Sequence, residues 1–261
     1  MNLISPLQPP LPRPTDNRLQ WGKLKGDSVN LVISSLAAKN PGPLLLITPD
    51  VHSANRLRHS LPFFSSDDDT PILHFPAWET LPYDHCSPHQ DIISERLLTL
   101  YRLPHLAKGI VISHLPTLLQ RLCPLEYLEK NTFILSCGEK FSSQENRERL
   151  IAAGYRSVQQ VMEHGEYTQR GSIIDIYPMG SPFPYRVELF DNKVVSIRSF
   201  DPETQRSIKK IESVRLLPAR EYPLTESAIT RFRQNWREKF SGNPQNRPSI
   251  NKSAKGKQPL E

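Results

Sequence analysis

Cysteine is scarce in this 261-residue chain, and its 11 glycines are outnumbered by 25 prolines. The three cysteines, Cys86, Cys123 and Cys137, are too few and too scattered for a disulfide framework or a zinc knuckle, so they read as reduced and structural. Little glycine with much proline implies short elements separated by stiff turns. Long apolar runs are missing as well. No stretch approaches the roughly 18 consecutive apolar residues of a membrane span. The opening MNLISPLQPPLPRP is broken by prolines before it reaches the length of a signal-peptide core, so the chain reads as cytoplasmic. Positive charge is in excess, +6 overall, but it is localised. Residues 231–261 hold Arg231, Arg233, Arg237, Lys239, Arg247, Lys252, Lys255 and Lys257 against Glu238 and Glu261. The whole excess therefore sits at the C-terminal end, positions 1–230 are balanced, and bulk charge does not indicate a duplex-binding groove.

The length suffices for one or two domains with a proper core. Residues 1–23 are proline-rich and aperiodic, as expected of a mobile lead-in. The spacing of Leu31, Val32, Leu36 and Ala37 predicts a helix over 30–38. The breaker Asn40-Pro41-Gly42-Pro43 then gives way to a buried strand, Leu44 to Ile47. Asp50 starts a surface helix through Leu61, a polar loop at 65–69 ends it, and 71–75 reads as a strand. Ser87-Pro88-His89-Gln90 offers a cap, a first-position proline and a third-position Gln for a helix whose face continues through Ile92, Arg96, Leu97, Leu100 and Tyr101 to Pro104. Gly109 to Ser113 reads as a strand buried on both sides, and 116–122 as a helical turn or two. Helices alternating with short buried strands argue for an α/β layer with a largely parallel sheet to about residue 131.

From Thr132 the texture changes. Ser142 caps a helix that Gly154 ends. Strands then follow without helices between them: 172–177, 185–190, 193–200 and 207–217, with Asp191-Asn192 as a tight turn. This is an α+β domain with an antiparallel sheet over 132–217. A last helix, capped by Thr225 and running to about Phe240, is expected to bury Ala228, Ile229, Phe232 and Trp236. Residues 241–261 are polar, prolyl and basic, and read as a linker-like tail.

Residues 75–104 (FPAWETLPYDHCSPHQDIISERLLTLYRLP), 160–180 (QVMEHGEYTQRGSIIDIYPMG) and 185–191 (YRVELFD) carry a resemblance to a known family, the N-terminal region of the bacterial transcription-repair coupling factors. The resemblance spans roughly residues 24–240. It implies a UvrB-like, P-loop-type α/β domain over 24–131 and 218–240, with the smaller domain at 132–217 inserted as the docking surface for UvrA. Arg170 in TQRGS, Arg186 in PYRVE and Phe190 in ELFD are the positions it implies for contact with UvrA, and Glu188 lies on their face. Arg170 is expected where a strand begins. Arg186, Glu188 and Phe190 alternate along one strand, so two guanidinium forks can flank an aromatic anchor. The local reading stands beside this one: the arginines pair with acids such as Glu163 or Glu166, and Phe190 is core.

A working phosphate loop needs G-x-x-x-x-G-K-[ST], because its backbone amides and lysine cradle the phosphates. The corresponding stretch here, Gly26-Asp27-Ser28-Val29-Asn30 and onward, lacks the second glycine, the lysine and the hydroxyl ligand for magnesium. No nucleotide or other cofactor is therefore expected, and no catalytic residue. The chain also ends within the return segment of the first domain, so it reads as a fragment. Contacts with RNA polymerase and duplex DNA are expected only through regions outside it.

Other constellations are weaker. Asp84, His85, Cys86 and His89 suggest a metal site but lack a distant fourth partner. Asp84 and Asp91 do not specify convergence, and Asp91 reads as an early-turn acid. Trp78, Tyr83, Tyr101, Tyr167 and Tyr185 suit base stacking less than packing, since no basic groove accompanies them. Two functions are carried forward: an adaptor that recruits UvrA, and an ATP-dependent DNA translocase or helicase. Lesion binding in the manner of UvrB is a third, disfavoured because no aromatic-rich insertion appears between Thr80 and Gln90.

Overall fold

The computed structural model describes residues 18–65, 70–80 and 84–240, together with 8 and 10. Most of the expected lead-in, the basic tail, Tyr83 and much of the polar loop at 65–69 lie outside the described residues.

The chain begins with helix α1 (Ser28–Lys39), strand β1 (Leu44–Thr48), helix α2 (Val51–Phe64) and strand β2 (Ile72–His74). Helix α3 (Gln90–Arg102) follows, then strand β3 (Ile110–His114), the one-turn helix α4 (Leu115–Leu118), helix α5 (Leu125–Lys130) and strand β4 (Phe133–Ser136). After α6 (Ser143–Ala152) come β5 (Arg156–Ser157), β6 (Glu166–Arg170), β7 (Ile173–Ile176), β8 (Tyr185–Phe190), β9 (Lys193–Phe200), β10 (Ser207–Ile211) and β11 (Ser213–Leu216), and last α7 (Glu226–Lys239). The architecture is mixed α/β with parallel and antiparallel sheets.

Packing divides the described residues into two units. One draws on Met1–Ala77 and Arg102–Arg121, the other on Trp78–Tyr101 and Leu122–Glu261. Helix α3, apart from Arg102, and the segment after Leu217 fall in the second unit.

In the first unit β3 lies between β1 and β2, parallel to both. All five residues of β3 are buried, as a central strand requires. Helices α1 and α2 cover one face through Ile33, Ala37, Ala54 and Leu61, against Ile110 and Ile112. Strand β1 corrects the sequence reading. It pairs on one side only, and Leu45 and Ile47 are more than half exposed, so it is an edge strand rather than a buried one.

The second unit is built on a six-stranded sheet in the order β10-β9-β8-β7-β6-β5. One face carries Tyr167, Ile174, Ile176, Val187 and Ile197 into a core with Leu97 of α3, Leu128 of α5, Leu150 of α6 and Leu216 of β11. Each such leucine contributes about 1.5–3 kcal/mol on burial. Strands β4 and β11 pair antiparallel beside it. The Ser142 hydroxyl caps α6 by accepting the Glu145 amide, and Asp191 and Asn192 take left-handed φ of 49° and 56° in the two-residue turn between β8 and β9.

Four further expectations are corrected. Helix α3 starts at Gln90, with the His89 carbonyl accepting the Ile92 and Ile93 amides, two residues later than a Ser87 cap would place it. The single strand expected over 207–217 is two strands in different sheets. Ile211 and Val214 are three apart and cannot share one face of a continuous strand. Strand β6 was not anticipated at all. Helix α7 has the Thr225 cap, yet none of its residues is buried. Its rings stack on one another instead, Phe232 on Trp236 at 5.8 Å and Trp236 on Phe240 at 4.4 Å.

Candidate functional site

Two tight hairpins place the expected docking residues. Gly171 and Ser172 join β6 to β7, so Arg170 closes β6 opposite Ile173 and does not open a strand. Ile173 in turn faces Glu188 on β8. Partners across a sheet project to the same side, which puts Arg170, Ile173 and Glu188 in one row and Asp175, Arg186 and Arg198 in the next. Along β8, Val187 and Leu189 are buried in the core while Arg186, Glu188 and Phe190 alternate away from it. All four residues thus share the outward face of three adjacent strands, with about 10 Å between the backbones at Arg170 and Glu188.

Their environments differ. Arg186 holds Asp175 in a fork, Nε to Oδ1 at 2.7 Å and Nη2 to Oδ2 at 2.9 Å. Its guanidinium carbon lies 4.9 Å from the centre of the Phe200 ring. The hydrogen bond to Asp175 raises the Arg186 pKa further above its ordinary value, against the opposing effect of burial. Glu188 accepts from the Ser196 hydroxyl at 2.6 Å and meets Arg198 at 3.5 Å. Phe190, the last residue of its strand, is 75% exposed. Arg170 is exposed and donates to the Gln159 carbonyl.

The local reading is therefore half right for Arg186 and wrong for Phe190. Arg186 does pair with an acid, but with Asp175; Glu163 and Glu166 are held by Arg156 at 3.3 and 3.0 Å. Phe190 is no part of the core.

Several supporting residues escaped the sequence reading. Asp175 lies eleven residues from Arg186, and only the register of β7 against β8 brings them together. Asp201 accepts the Glu203 and Thr204 amides at 3.0 and 2.7 Å, and the Thr204 amide in particular holds its carboxyl below the ordinary 3.8. The loop so formed carries Gln205, whose carbonyl accepts from Arg186 at 3.4 Å and whose amide donates to the Val161 carbonyl at 3.2 Å. Phe200 and Val161 are fully buried on this side. Arg186 is thus seated from three directions, which gives its fork a fixed aim.

The other candidates do not converge. Asp84, His85, Cys86 and His89 are exposed, and among the described residues no group of three or more His, Cys, Asp or Glu is placed to hold a metal ion. Asp91 sits in the first turn of α3, but it also lies 2.6 Å from His164, whose ring packs on Tyr177. Burial foremost, with the Asp91 charge, raises the Tyr177 pKa. Tyr167 belongs to the core, and Tyr101 lies beneath Arg215. Trp78 donates to Glu221 at 3.2 Å and is capped by Arg96. At the start of α1, Asn30 donates to Asp27 and to Ser60, and no strand precedes the helix among the described residues. Among the described residues no helix is long and apolar enough to cross a membrane.

Residues 133–222 match the family model described as UvrB interaction domain. Over 219 residues the chain is 43% identical to the transcription-repair-coupling factor of Escherichia coli (strain K12), covering 84% of the chain and 19% of that protein. It is 44% identical over 234 residues to the same factor of Haemophilus influenzae, covering 89% and 20%, and 33% identical over 224 residues to that of Staphylococcus haemolyticus, covering 86% and 19%. The chain spans about one fifth of the length of these relatives.

Proposed function

We propose that this chain, 43–44% identical to transcription-repair-coupling factors over about one fifth of their length, corresponds to their N-terminal UvrB-like region and recruits UvrA for transcription-coupled nucleotide excision repair. The observation that carries the reading is the shared outward face of β6, β7 and β8 inside the matched UvrB interaction domain. Phe190 is the anchor, Arg186 and Arg170 are the cations on its face, and Glu188, held by Ser196 and Arg198, is the acid beside them. An exposed aromatic on one face with two guanidiniums is the composition of an interaction hot spot.

In this reading residues 132–217 are the UvrA-binding domain. Residues 24–131 with 218–240 are the remains of a nucleotide-motor scaffold that does not turn over ATP. The stretch from Gly26 to Asn30 supports this, because its carboxylate, Asp27, bonds to Asn30 at the helix start where a phosphate would need amides and a lysine. The protein works in the cytoplasm. Contacts with RNA polymerase and DNA fall to the rest of a full-length coupling factor.

Calorimetric titration with purified UvrA tests the proposal. Phe190→Ala is the variant of choice, since Phe190 supports nothing in the core while Arg186 also anchors Asp175. Its affinity should fall by about 2 kcal/mol or more, roughly thirtyfold. Equal affinity of the variant and the wild type would remove the docking face. ATP turnover by the chain alone would restore the translocase alternative.

A further inference from the structure

Beside Arg170 the large sheet opens. Strand β5 pairs with β6 only at Arg156 and Ser157, against Glu166 and Tyr167. The Val158 amide donates to the Tyr167 carbonyl at 3.0 Å, and beyond it no further pairing with β6 is formed. The space so left is a cleft of about 670 Å³ whose wall includes Arg147 of α6, Ser157, Gln159, Gln160, Gln169 and Arg170.

We propose that this cleft receives carboxylate side chains from an acidic segment of a protein partner. It adjoins the docking face at Arg170, and for the identity of that partner it rests on the UvrA reading. The lining contains two guanidiniums and no acid. Of the arginines carried by β5, β6, β8 and β9, Arg156 is met by Glu163 and Glu166, Arg186 by Asp175 and Arg198 by Glu188. Arg170 has a carbonyl as its partner, and Arg147 is exposed with no hydrogen bond or ion pair among the described residues.

The remaining polar side chains of the wall, apart from the buried Tyr167 and Thr168, are glutamine amides and a serine hydroxyl, which supply N–H and O–H donors beside the forks. A carboxylate, an acceptor with two oxygens, satisfies such a set. Charge decides between carboxylate and nucleic-acid phosphate. On the outward face next to the cleft each cation is met by an acid, Arg186 by Asp175 and Arg198 by Glu188, and positions 1–230 are balanced, so no basic track continues from the cleft for a nucleic-acid backbone to follow. The one aromatic in the lining, Tyr167, is buried in the core and offers no stacking face.

The test has two arms. In the first, UvrA is titrated with wild type, Arg147→Glu and Phe190→Ala. Arg147 is exposed on a helix surface, and circular dichroism checks that the variant folds. Arg147→Glu should weaken binding about tenfold or more. Full affinity in Arg147→Glu alongside a weakened Phe190→Ala overturns the cleft and leaves the docking reading intact. In the second arm the side-chain amide resonances of Gln159, Gln160 and Gln169 are followed with acetyl-pentaglutamate amide and with a pentathymidylate. Shifts with the peptide, absent in Arg147→Glu, support the cleft even where UvrA fails to bind and the docking reading has fallen. No shift with the peptide, or shifts as large with the oligonucleotide, overturn the proposal.

Discussion

At the scale of single residues, the second unit depends on one buried charge pair. Arg96 is fully buried and Glu221 nearly so, joined through Nη2 and Oε2 at 3.2 Å and through Nε to Oε1. The Trp78 indole lies on the guanidinium and donates to the same carboxylate. A buried pair is weak grounds for stability in itself, but removing one member strands a charge in the interior. Glu221→Leu should therefore lower unfolding stability by about 3–5 kcal/mol. Adding Arg96→Met should restore a good part of it, and urea unfolding of both variants measures this; additive losses would show that the pair is not the coupled unit described here. The same carboxylate affects Cys123, whose thiol is pushed up to about 12 by burial first and by Glu221 second. It stays protonated at neutral pH, so a thiol reagent should modify exposed Cys86 first. Neither partner of Arg96 was foreseen from sequence: it sits among the apolar residues of a helical face, and its mate lies 125 positions away.

At the scale of elements, what could be read from sequence is what local chemistry dictates. The helix caps at Asp50, Ser142 and Thr225, the turn at Asp191-Asn192 and the buried run of β3 all follow from side chains within a few residues of one another. Strand β6 was missed because Glu166, Tyr167 and Thr168 are all buried in succession, which hides the period of two, and Glu166 is held by Arg156 and by the amides of Met162 and Glu163. The outward alternation of Arg186, Glu188 and Phe190 was legible from period two alone. The place of Arg170 in the same face was not, because it depends on the register of β6 against β7 and β7 against β8. Glycines make a further element-level distinction. Gly171 and Gly180 both have left-handed backbones, φ 60° and 76°, but a methyl at Gly171 would meet open space. At Gly180 it would lie 3.0 Å from side-chain atoms of Leu98 on α3 and Leu217, where the Gly180 amide also donates to Ser94. Gly180→Ala should cost about 1–3 kcal/mol for the backbone conformation and more for the displaced leucines, exceeding Gly171→Ala in a urea-midpoint comparison. An equal loss at both sites would mean that α3 yields to the methyl without penalty.

At the scale of the whole molecule, charge is divided unevenly along the chain. Positions 1–230 are balanced in charge, and the guanidiniums of Arg147 and Arg170 line one cleft without an acid in its wall. The entire net charge of +6 belongs to residues 231–261. Any retention of duplex DNA by this chain should therefore arise from that end and vanish steeply with salt, because each neutralised phosphate releases condensed counterions. Replacing Arg247, Lys252, Lys255 and Lys257 by Gln removes four cations while leaving the docking sheet untouched. The slope of log affinity against log salt should flatten by up to about 3.6, the ~0.9 per phosphate contact expected for four lost contacts, whereas UvrA affinity should be unchanged. Filter binding of a random-sequence duplex across a salt series, run beside the UvrA titration, measures both. A slope that survives the four substitutions would place a DNA-binding surface on the body, and the balanced distribution of charge over positions 1–230 would then have misdirected the argument from composition to partner.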